Sequence, residues 1–146
     1  MKFLSKLFVF ILLFSFLVPT SVKAAAEPTT ERIVYADGSY VITRITSTES
    51  RASNTKTSSK DYLYYNANDV LQWKATVVGT FVYDGSTSTC TVVSTNFVRY
   101  TTTWTLDSVS KSKSGNRAIG DFYLSCSLWE TSVRVQLTCD KNGNLS

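Results

Sequence analysis

The feature that most constrains the fold is an alternation of side-chain character along residues 73–83. From Trp73 through Gly79 to Tyr83, every second residue is apolar or small, whereas the polar Lys74, Thr76 and Thr80 lie on the other phase. A period of two places alternate side chains on opposite faces of a β-strand, so one face is buried and the other meets water. We interpret Gly79, in the middle of this strand, as a bulge or a close backbone crossing.

The rest of the chain is equally unsuited to helices. After Ala26 the sequence contains 17 serines and 19 threonines in 120 residues, and no window repeats apolar residues at helical spacing. Turn pairs such as Asp37-Gly38 and Asp84-Gly85 recur at intervals of roughly ten residues, the spacing of a sandwich or barrel. We therefore predict an all-β fold, a single antiparallel β-sandwich of immunoglobulin-like or similar type with about eight strands.

Two boundaries are predicted from local polarity. The stretch from Ser47 to Lys60 has no apolar period, and we interpret it as a mobile connector between the sheets. Glu130–Ser132 is interpreted as the turn between a strand ending at Trp129 and a strand running from Val133 to Cys139. The inward residues of this hairpin are then Phe122, Leu124, Cys126 and Leu128, followed by Val133, Val135, Leu137 and Cys139.

Residues 1–26 have the parts of a secretory signal peptide. Lys2 and Lys6 give a positive start, a 12-residue apolar run extends from Leu7 to Val18, and small residues follow. The run is too short to span a bilayer comfortably, and cleavage is expected after Ala24 or, preferably, Ala26. We therefore expect a secreted, extracellular domain over residues 27–146 without a membrane span in the mature chain.

Charge and the lack of histidine exclude several function classes. The formal net charge is +4, but Lys2, Lys6 and Lys23 lie in the leader, so the exported part has 12 basic and 11 acidic residues. This near-neutral balance gives no argument for a nucleic-acid partner, and we expect none. Because the sequence has no histidine, hydrolases with an imidazole base and metal sites with imidazole ligands are excluded.

The remaining motifs are better explained as turns or strands than as chemistry. Asp140–Asn144 is similar to the start of a calcium loop but lacks the later ligands. Ser-x-x-Lys, at Ser108 and Ser110, works only on one helical face. We predict no catalytic residue, no metal site and no cofactor, with a glycosidase-like carboxylate pair as the alternative. The carboxylates mostly fall at turns or strand ends: Asp37, Asp61, Asp69, Asp84, Asp107, Asp121 and Glu130.

Three cysteines in an exported chain suggest one disulfide and one spare thiol. With a turn at Glu130–Ser132, Cys139 lies about 10 Å along the strand from the residue facing Cys126. That exceeds the Cα separation of about 7 Å that a disulfide allows, so Cys90 is the shared partner. A Cys90–Cys139 link would close a loop of about 50 residues and stabilise by roughly 4 kcal/mol, leaving Cys126 as a buried thiol.

Four segments after the leader share the pattern of one protein family: Tyr64–Asn66, Trp73–Thr91 with its alternating pattern, Lys113–Ala118 and the ending Leu137–Ser146. Together they resemble a family of small exported proteins of Gram-positive bacteria that has no assigned activity. The resemblance covers most of the chain after the leader. It implies export, and it implies cysteines at 90 and 139 but not at 126, in agreement with a Cys90–Cys139 disulfide.

One hairpin suggests a binding face. Lys111, Lys113 and Arg117 crowd its tip, and Tyr123 and Trp129 lie on the nominally outward phase of the strand that follows. Cations attract an anionic cell-wall polymer, and exposed aromatic rings stack on a glycan or anchor an extracellular protein. We expect non-catalytic binding at the cell exterior. The alternatives are a small secreted glycan-directed enzyme and a secreted toxin or inhibitor acting on a foreign protein.

Overall fold

The computed structural model describes residues 28–49, 54–127 and 129–146; the predicted leader lies outside these ranges. The described chain forms eight β-strands, and it contains no helix long and apolar enough to cross a membrane. The all-β prediction is confirmed. The strands are β1 (Thr29–Val34), β2 (Tyr40–Glu49), β3 (Thr55–Tyr65), β4 (Leu71–Tyr83), β5 (Ser88–Arg99), β6 (Thr105–Ser114), β7 (Arg117–Cys126) and β8 (Trp129–Thr138).

The strands form two antiparallel sheets packed face to face as a sandwich. The large sheet has the order β1-β2-β3-β4-β5 and the small sheet the order β6-β7-β8. Neighbours in each sheet are also neighbours in sequence, so each sheet is a meander, and the chain changes sheets once, between β5 and β6. Immunoglobulin domains instead use Greek-key connections.

Close contact between the sheets depends on two glycines, one in each sheet, and each glycine faces a side chain of the opposite sheet. A Cβ atom at Gly79 of β4 would lie 2.6 Å from the Phe81 ring and 2.8 Å from the Cβ of Ala118 on β7. A Cβ atom at Gly120 of β7 would lie 2.6 Å from Val77 on β4. The interpretation of Gly79 as a close crossing is therefore confirmed, and the ladder also shifts register nearby, between Thr80 and Phe81.

The predicted mobile connector at residues 47–60 is wrong. β2 and β3 pair directly, with Thr46 opposite Ser59 and Glu49 opposite Lys56, and of this stretch only residues 50–53 lie outside the described chain. Thr48, Thr55 and Thr57 favour a strand even without an apolar period, because their β-branched side chains suit a pleated surface. Lys56 is also held from far along the chain, since its Nζ donates to the Gly143 carbonyl at 2.7 Å.

The predicted turn at Glu130–Ser132 is also wrong. Cys126 pairs with Trp129, so the chain reverses between these two residues and β8 begins at Trp129. The residues between Cys126 and Trp129 include no Gly, Pro, Asn or Asp. Because these are the usual turn residues, the sequence pattern predicted the turn a few residues too late. The inward phase on both strands is nonetheless as predicted for Phe122 and Leu137, which are fully buried, while Leu128 lies outside the described residues.

Adding one methyl group at the sheet crossing should destabilise the fold. We expect Gly79→Ala to lower the free energy of unfolding by about 1–3 kcal/mol, because the crowded Phe81 and Ala118 must move apart. Val92→Ala, at an exposed position of β5, is the control and should change it by less than about 0.5 kcal/mol. Urea unfolding measures both. Equal effects would contradict the assignment of a tight crossing to Gly79.

Candidate functional site: an aromatic cleft beside β8

The unequal widths of the sheets leave a step beside β8. In the small sheet β8 contacts β3 and β4, β7 contacts β4 and β5, and β6 contacts β5. The large sheet therefore continues, through β2 and β1, beyond the edge of β8. A cavity of about 390 Å³ lies at this step, and we call it the aromatic cleft. It is lined by Tyr35, Asp37, Ser39, Val41, Tyr62, Tyr64, Trp73, Trp104, Trp129, Glu130, Thr131 and Val133.

The floor of the aromatic cleft is a cluster of packed rings. Tyr64 of β3 pairs directly with Trp73 of β4, so their side chains share the inner face of the large sheet with Tyr62. Trp73 stacks on Tyr64 at 5.2 Å and on Tyr62 at 5.9 Å between ring centroids. Trp104, just before β6, meets Tyr64 edge-on at 5.8 Å. These mutual contacts hold the floor in a fixed shape without a ligand.

Two flat side chains form the rim and remain accessible. Trp129 is 61% exposed and Tyr35 is 43% exposed. The hydroxyl groups of Tyr35 and Tyr62 are 2.9 Å apart, a hydrogen bond that ties the β1–β2 turn to the floor. Burial raises the pKa of Tyr62, so its hydroxyl keeps its proton and remains available for hydrogen bonding. The cleft thus offers an accessible ring at the start of β8 and another on the β1–β2 turn.

Polar groups at the cleft are few and placed at its margins. Oδ1 of Asp37 accepts hydrogen bonds from the Ser39 hydroxyl at 2.6 Å and the Ser39 N–H at 3.0 Å. These bonds, the hydroxyl's above all, hold the pKa of Asp37 below its usual value, so this carboxylate is ionised at neutral pH. On the floor, the buried Nε1–H of Trp73 has no hydrogen-bond partner within the described residues. This atom is not exposed at the surface of the cleft, so a ligand in the cleft does not reach it.

The two aromatic residues of the predicted binding face lie on opposite sides of the small sheet. Tyr123 pairs with Ser132 and lies on the outer face, where it is 48% exposed. Trp129 pairs with Cys126, which shares the phase of the buried Leu124 and therefore faces the large sheet. The expectation that both rings share the outward phase is wrong. It failed because the tight reversal after Cys126 returns Trp129 to the inward side.

The basic tip is also remote from the aromatic cleft. Lys111, Lys113 and Arg117 are exposed at the β6–β7 end of the small sheet, and Lys113 donates to the Thr91 carbonyl at 2.6 Å. Arg117 and Cys126 end β7, which places the tip about 30 Å from Trp129 at 3.3 Å per residue. The structure therefore separates the basic tip from Trp129. It also divides the tip, since Lys113 pairs with Ala118 on the inner phase whereas Arg117 pairs with Ser114 on the outer phase.

No disulfide is present: Cys90, Cys126 and Cys139 are free thiols in this structure. Cys90 and Cys139 nevertheless lie in one buried cluster, and their N–H groups donate to the carbonyls of consecutive residues, Gly115 at 2.8 Å and Asn116 at 3.0 Å. Cys126 lies at the opposite end of β7. Burial raises the pKa of Cys90 and of Cys139, and each therefore stays a protonated, weakly nucleophilic thiol at neutral pH.

Within the described ranges, no group of three or more Cys, Asp or Glu side chains could hold a metal ion. No protein-family model, curated protein or solved structure matches the chain. The resemblance to small exported proteins of Gram-positive bacteria therefore stays a prediction.

Sequence reasoning missed most of the aromatic cleft. Of the aromatic residues in the cleft, only Trp129 was part of the predicted binding face. It was predicted to point outwards, whereas in the structure it lies on the inward phase of β8. Tyr62, Tyr64 and Trp73 come together through the pairing of β3 with β4. The tyrosines at alternate positions 62 and 64, ahead of the alternation that starts at Trp73, were the available signal. Tyr35 lies in the β1–β2 turn and Trp104 in the connection before β6. Neither lies in a strand, so no alternating pattern predicts which way its side chain points.

The ionisation of Asp37 gives a direct test of the cleft margin. A depressed folded-state pKa adds stability that is complete above the ordinary value of 3.8 and is lost as pH falls through the folded-state pKa. Ser39→Ala should raise the pKa of Asp37 towards 3.8, as measured by NMR titration of its carboxyl carbon. Asp84, whose pKa is lowered mainly by the Thr87 N–H, is the internal control and should not move. An unchanged Asp37 titration would contradict the proposed bond.

Proposed function

We propose that the protein is a non-catalytic, extracellular binding module that holds a glycan in the aromatic cleft. The observation that carries the proposal is the combination of a prepacked ring floor with the exposed ring of Trp129 at the rim. Binding sites for small ligands are typically concave, largely apolar, and supplied with a few fixed polar groups. The aromatic cleft has each of these properties.

A saccharide suits this mixture of surfaces. One face of a sugar ring is a plane of C–H groups that stacks on an aromatic ring, while its hydroxyls need hydrogen-bond partners at the perimeter. The carboxylate of Asp37 and the Thr131 side chain stand at the margin of the rings, whereas Glu130 pairs with Ser125 and points its side chain to the outer face of the small sheet. Carboxylates accept hydroxyl hydrogens strongly because the bonds are charge-assisted. Flat apolar rings beside a carboxylate acceptor therefore favour a glycan over a purely apolar ligand.

The competing function is that of a small glycan-directed enzyme, since Asp37 and Glu130 both line the cleft. Glycoside hydrolysis needs a carboxylic acid whose pKa is raised so that it can protonate the leaving oxygen. The Ser39 hydrogen bonds lower the pKa of Asp37, so Asp37 does not fit the role of that acid. Glu130 pairs with Ser125, so its carboxylate points to the outer face of the small sheet and does not face Asp37 across the cleft. This supports binding without turnover.

Replacing the rim tryptophan provides the test. We expect Trp129→Ala to weaken binding of tetrasaccharides of glucose or N-acetylglucosamine at least about tenfold, because an aromatic anchor is lost. Tyr123→Ala is the matched control, since it removes an exposed ring from the opposite face. It should change the dissociation constant by less than about twofold. Calorimetric titration measures both.

Three results would contradict the proposal. If the wild-type protein binds neither sugar, the glycan-binding function is wrong. If Trp129→Ala and Tyr123→Ala lose equal affinity for the sugar, the aromatic cleft is not the binding site. Shortened sugars recovered after incubation with wild-type protein, but not with Glu130→Gln, would favour the enzyme. An unchanged melting temperature in Trp129→Ala shows that lost binding is not lost folding.

We also propose that Cys90 and Cys139 form a disulfide after export, giving up two protons and two electrons to an extracellular oxidant such as molecular oxygen or another disulfide. Their attachment to consecutive residues of the β6–β7 turn and their shared burial support this pairing. The link would close a loop of about 50 residues and stabilise the fold by roughly 4 kcal/mol.

Peptide mapping without reductant should therefore recover one Cys90–Cys139 link and a free thiol at Cys126. Cys126→Ser is the control and should leave both the link and the melting temperature nearly unchanged, whereas Cys139→Ser should lower the melting temperature. After reduction, the buried Cys90 and Cys139 should react with a thiol reagent more slowly than the half-buried Cys126. A dominant Cys90–Cys126 link would contradict the pairing.

A further inference from the structure

The free edge of β8 borders the aromatic cleft and carries backbone groups in a regular arrangement. Among the strands that the structure describes, β8 is the last of the small sheet, so one side of it pairs with β7 and the other side is an edge. At its end, the Thr138 N–H and carbonyl pair with the Ser146 carbonyl and N–H at 2.8 and 3.0 Å. Thr138 thus points its backbone groups away from β7, towards the edge.

The direction of the Thr138 groups fixes the direction of those before it. In an antiparallel strand, successive residues point their N–H and C=O groups to alternate sides. Gln136, Arg134, Ser132 and Glu130 must therefore all direct their backbone groups to the free edge. Equivalent groups recur every second residue, about 6.6 Å apart at 3.3 Å per residue.

A second groove extends the aromatic cleft along this edge. It has a volume of about 440 Å³ and shares Tyr62 with the cleft. Its walls are polar, with Glu31, Thr43 and Lys60 from the large sheet and Arg134 and Gln136 from β8. The cleft borders the first part of β8 and the second groove borders the last part, so a chain longer than one sugar would run beside the strand.

We propose that the glycan is a chain of N-acylated amino sugars whose amide groups hydrogen-bond to the free edge of β8. This inference rests on the proposed glycan-binding function. An amide carries one donor and one acceptor, and it can pair with a strand edge through the same N–H and C=O groups that a neighbouring strand would use. Its methyl group is apolar and suits the ring surface of Trp129.

Three tetrasaccharides separate the amide from the rest of the sugar. The N-acetylglucosamine tetramer carries amides, the glucose tetramer has hydroxyls in their place, and the fully deacetylated tetramer has ammonium groups. An ammonium has three donors and no acceptor, so it cannot receive the edge N–H groups. We expect the acetylated chain to bind at least about tenfold more tightly than either analogue, since at least one hydrogen bond is lost with each.

A proline substitution tests the role of the edge itself. Ser132→Pro removes an edge-facing N–H without breaking the ladder to β7, and proline is accepted on edge strands when its nitrogen faces outwards. The matched control is Ser132→Ala, which keeps the N–H and removes only the side-chain hydroxyl. We expect Ser132→Pro to weaken binding of the acetylated tetramer about tenfold. Binding of the glucose tetramer should be unchanged in both variants.

The outcomes distinguish this inference from the proposed function. If all three tetramers bind equally and Ser132→Pro has no effect, the amide inference fails while glycan binding stands. If none of the tetramers binds, the proposed function fails and the inference fails with it. If a short extended peptide binds more tightly than the acetylated tetramer, and Ser132→Pro abolishes that binding, the edge recognises peptides and the inference is overturned. Thermal melting of Ser132→Pro must match that of Ser132→Ala, and if it does not, the comparison is repeated at Glu130.

Discussion

The close approach of β4 and β7 at Gly79 and Gly120 determines where the small sheet lies. Each glycine leaves room for side chains that project from the opposite sheet, Ala118 against Gly79 and Val77 against Gly120. Sheets pack about 10 Å apart, and small residues at the contact fix the lateral position of one sheet on the other. With β7 held over β4 and β5, β8 must lie over β3 and β4. The step that forms the aromatic cleft is a consequence of this placement.

The same rings serve the core and the cleft. Phe122 of β7 contacts Phe97 of β5 at 6.3 Å between centroids, Phe97 contacts Trp73 at 6.0 Å, and Trp73 stacks on Tyr64 at the floor of the cleft. A floor that is continuous with the hydrophobic core is rigid because moving one ring would open a cavity among the others. A ligand would therefore meet a surface whose conformational entropy is already reduced. Of the rings that line the cleft, the exposed side chains of Trp129 and Tyr35 are the ones that would lose conformational freedom when a ligand binds.

The sequence predicted the features that local chemistry encodes. The alternation from Trp73 identified β4, and turn pairs such as Asp37-Gly38 and Asp84-Gly85 marked the reversals, because positive φ angles at the glycines demand these residues. It failed where order comes from distant partners. The stretch at 47–60 has no local signal of structure, and one of its contacts, from Lys56 to the Gly143 carbonyl, is to a residue distant in sequence. The reversal after Cys126 contains no Gly, Pro, Asn or Asp, so the sequence did not show that Trp129 lies on the inner face. The aromatic cleft depends on strand pairing and sheet offset, which periodicity alone does not fix.

The free edge of β8 also decides which kind of ligand the step can accept. Exposed strand edges invite pairing with other strands, and proteins commonly protect them with charged side chains. β8 carries Glu130 and Arg134, and Arg134 is held by Asp121, from which its Nε lies 2.6 Å. These charges disfavour a flat apolar strand, because such a strand would strip water from them without replacing its hydrogen bonds. A glycan brings hydroxyl groups on its remaining sides, and so it can occupy the edge while these charges stay solvated.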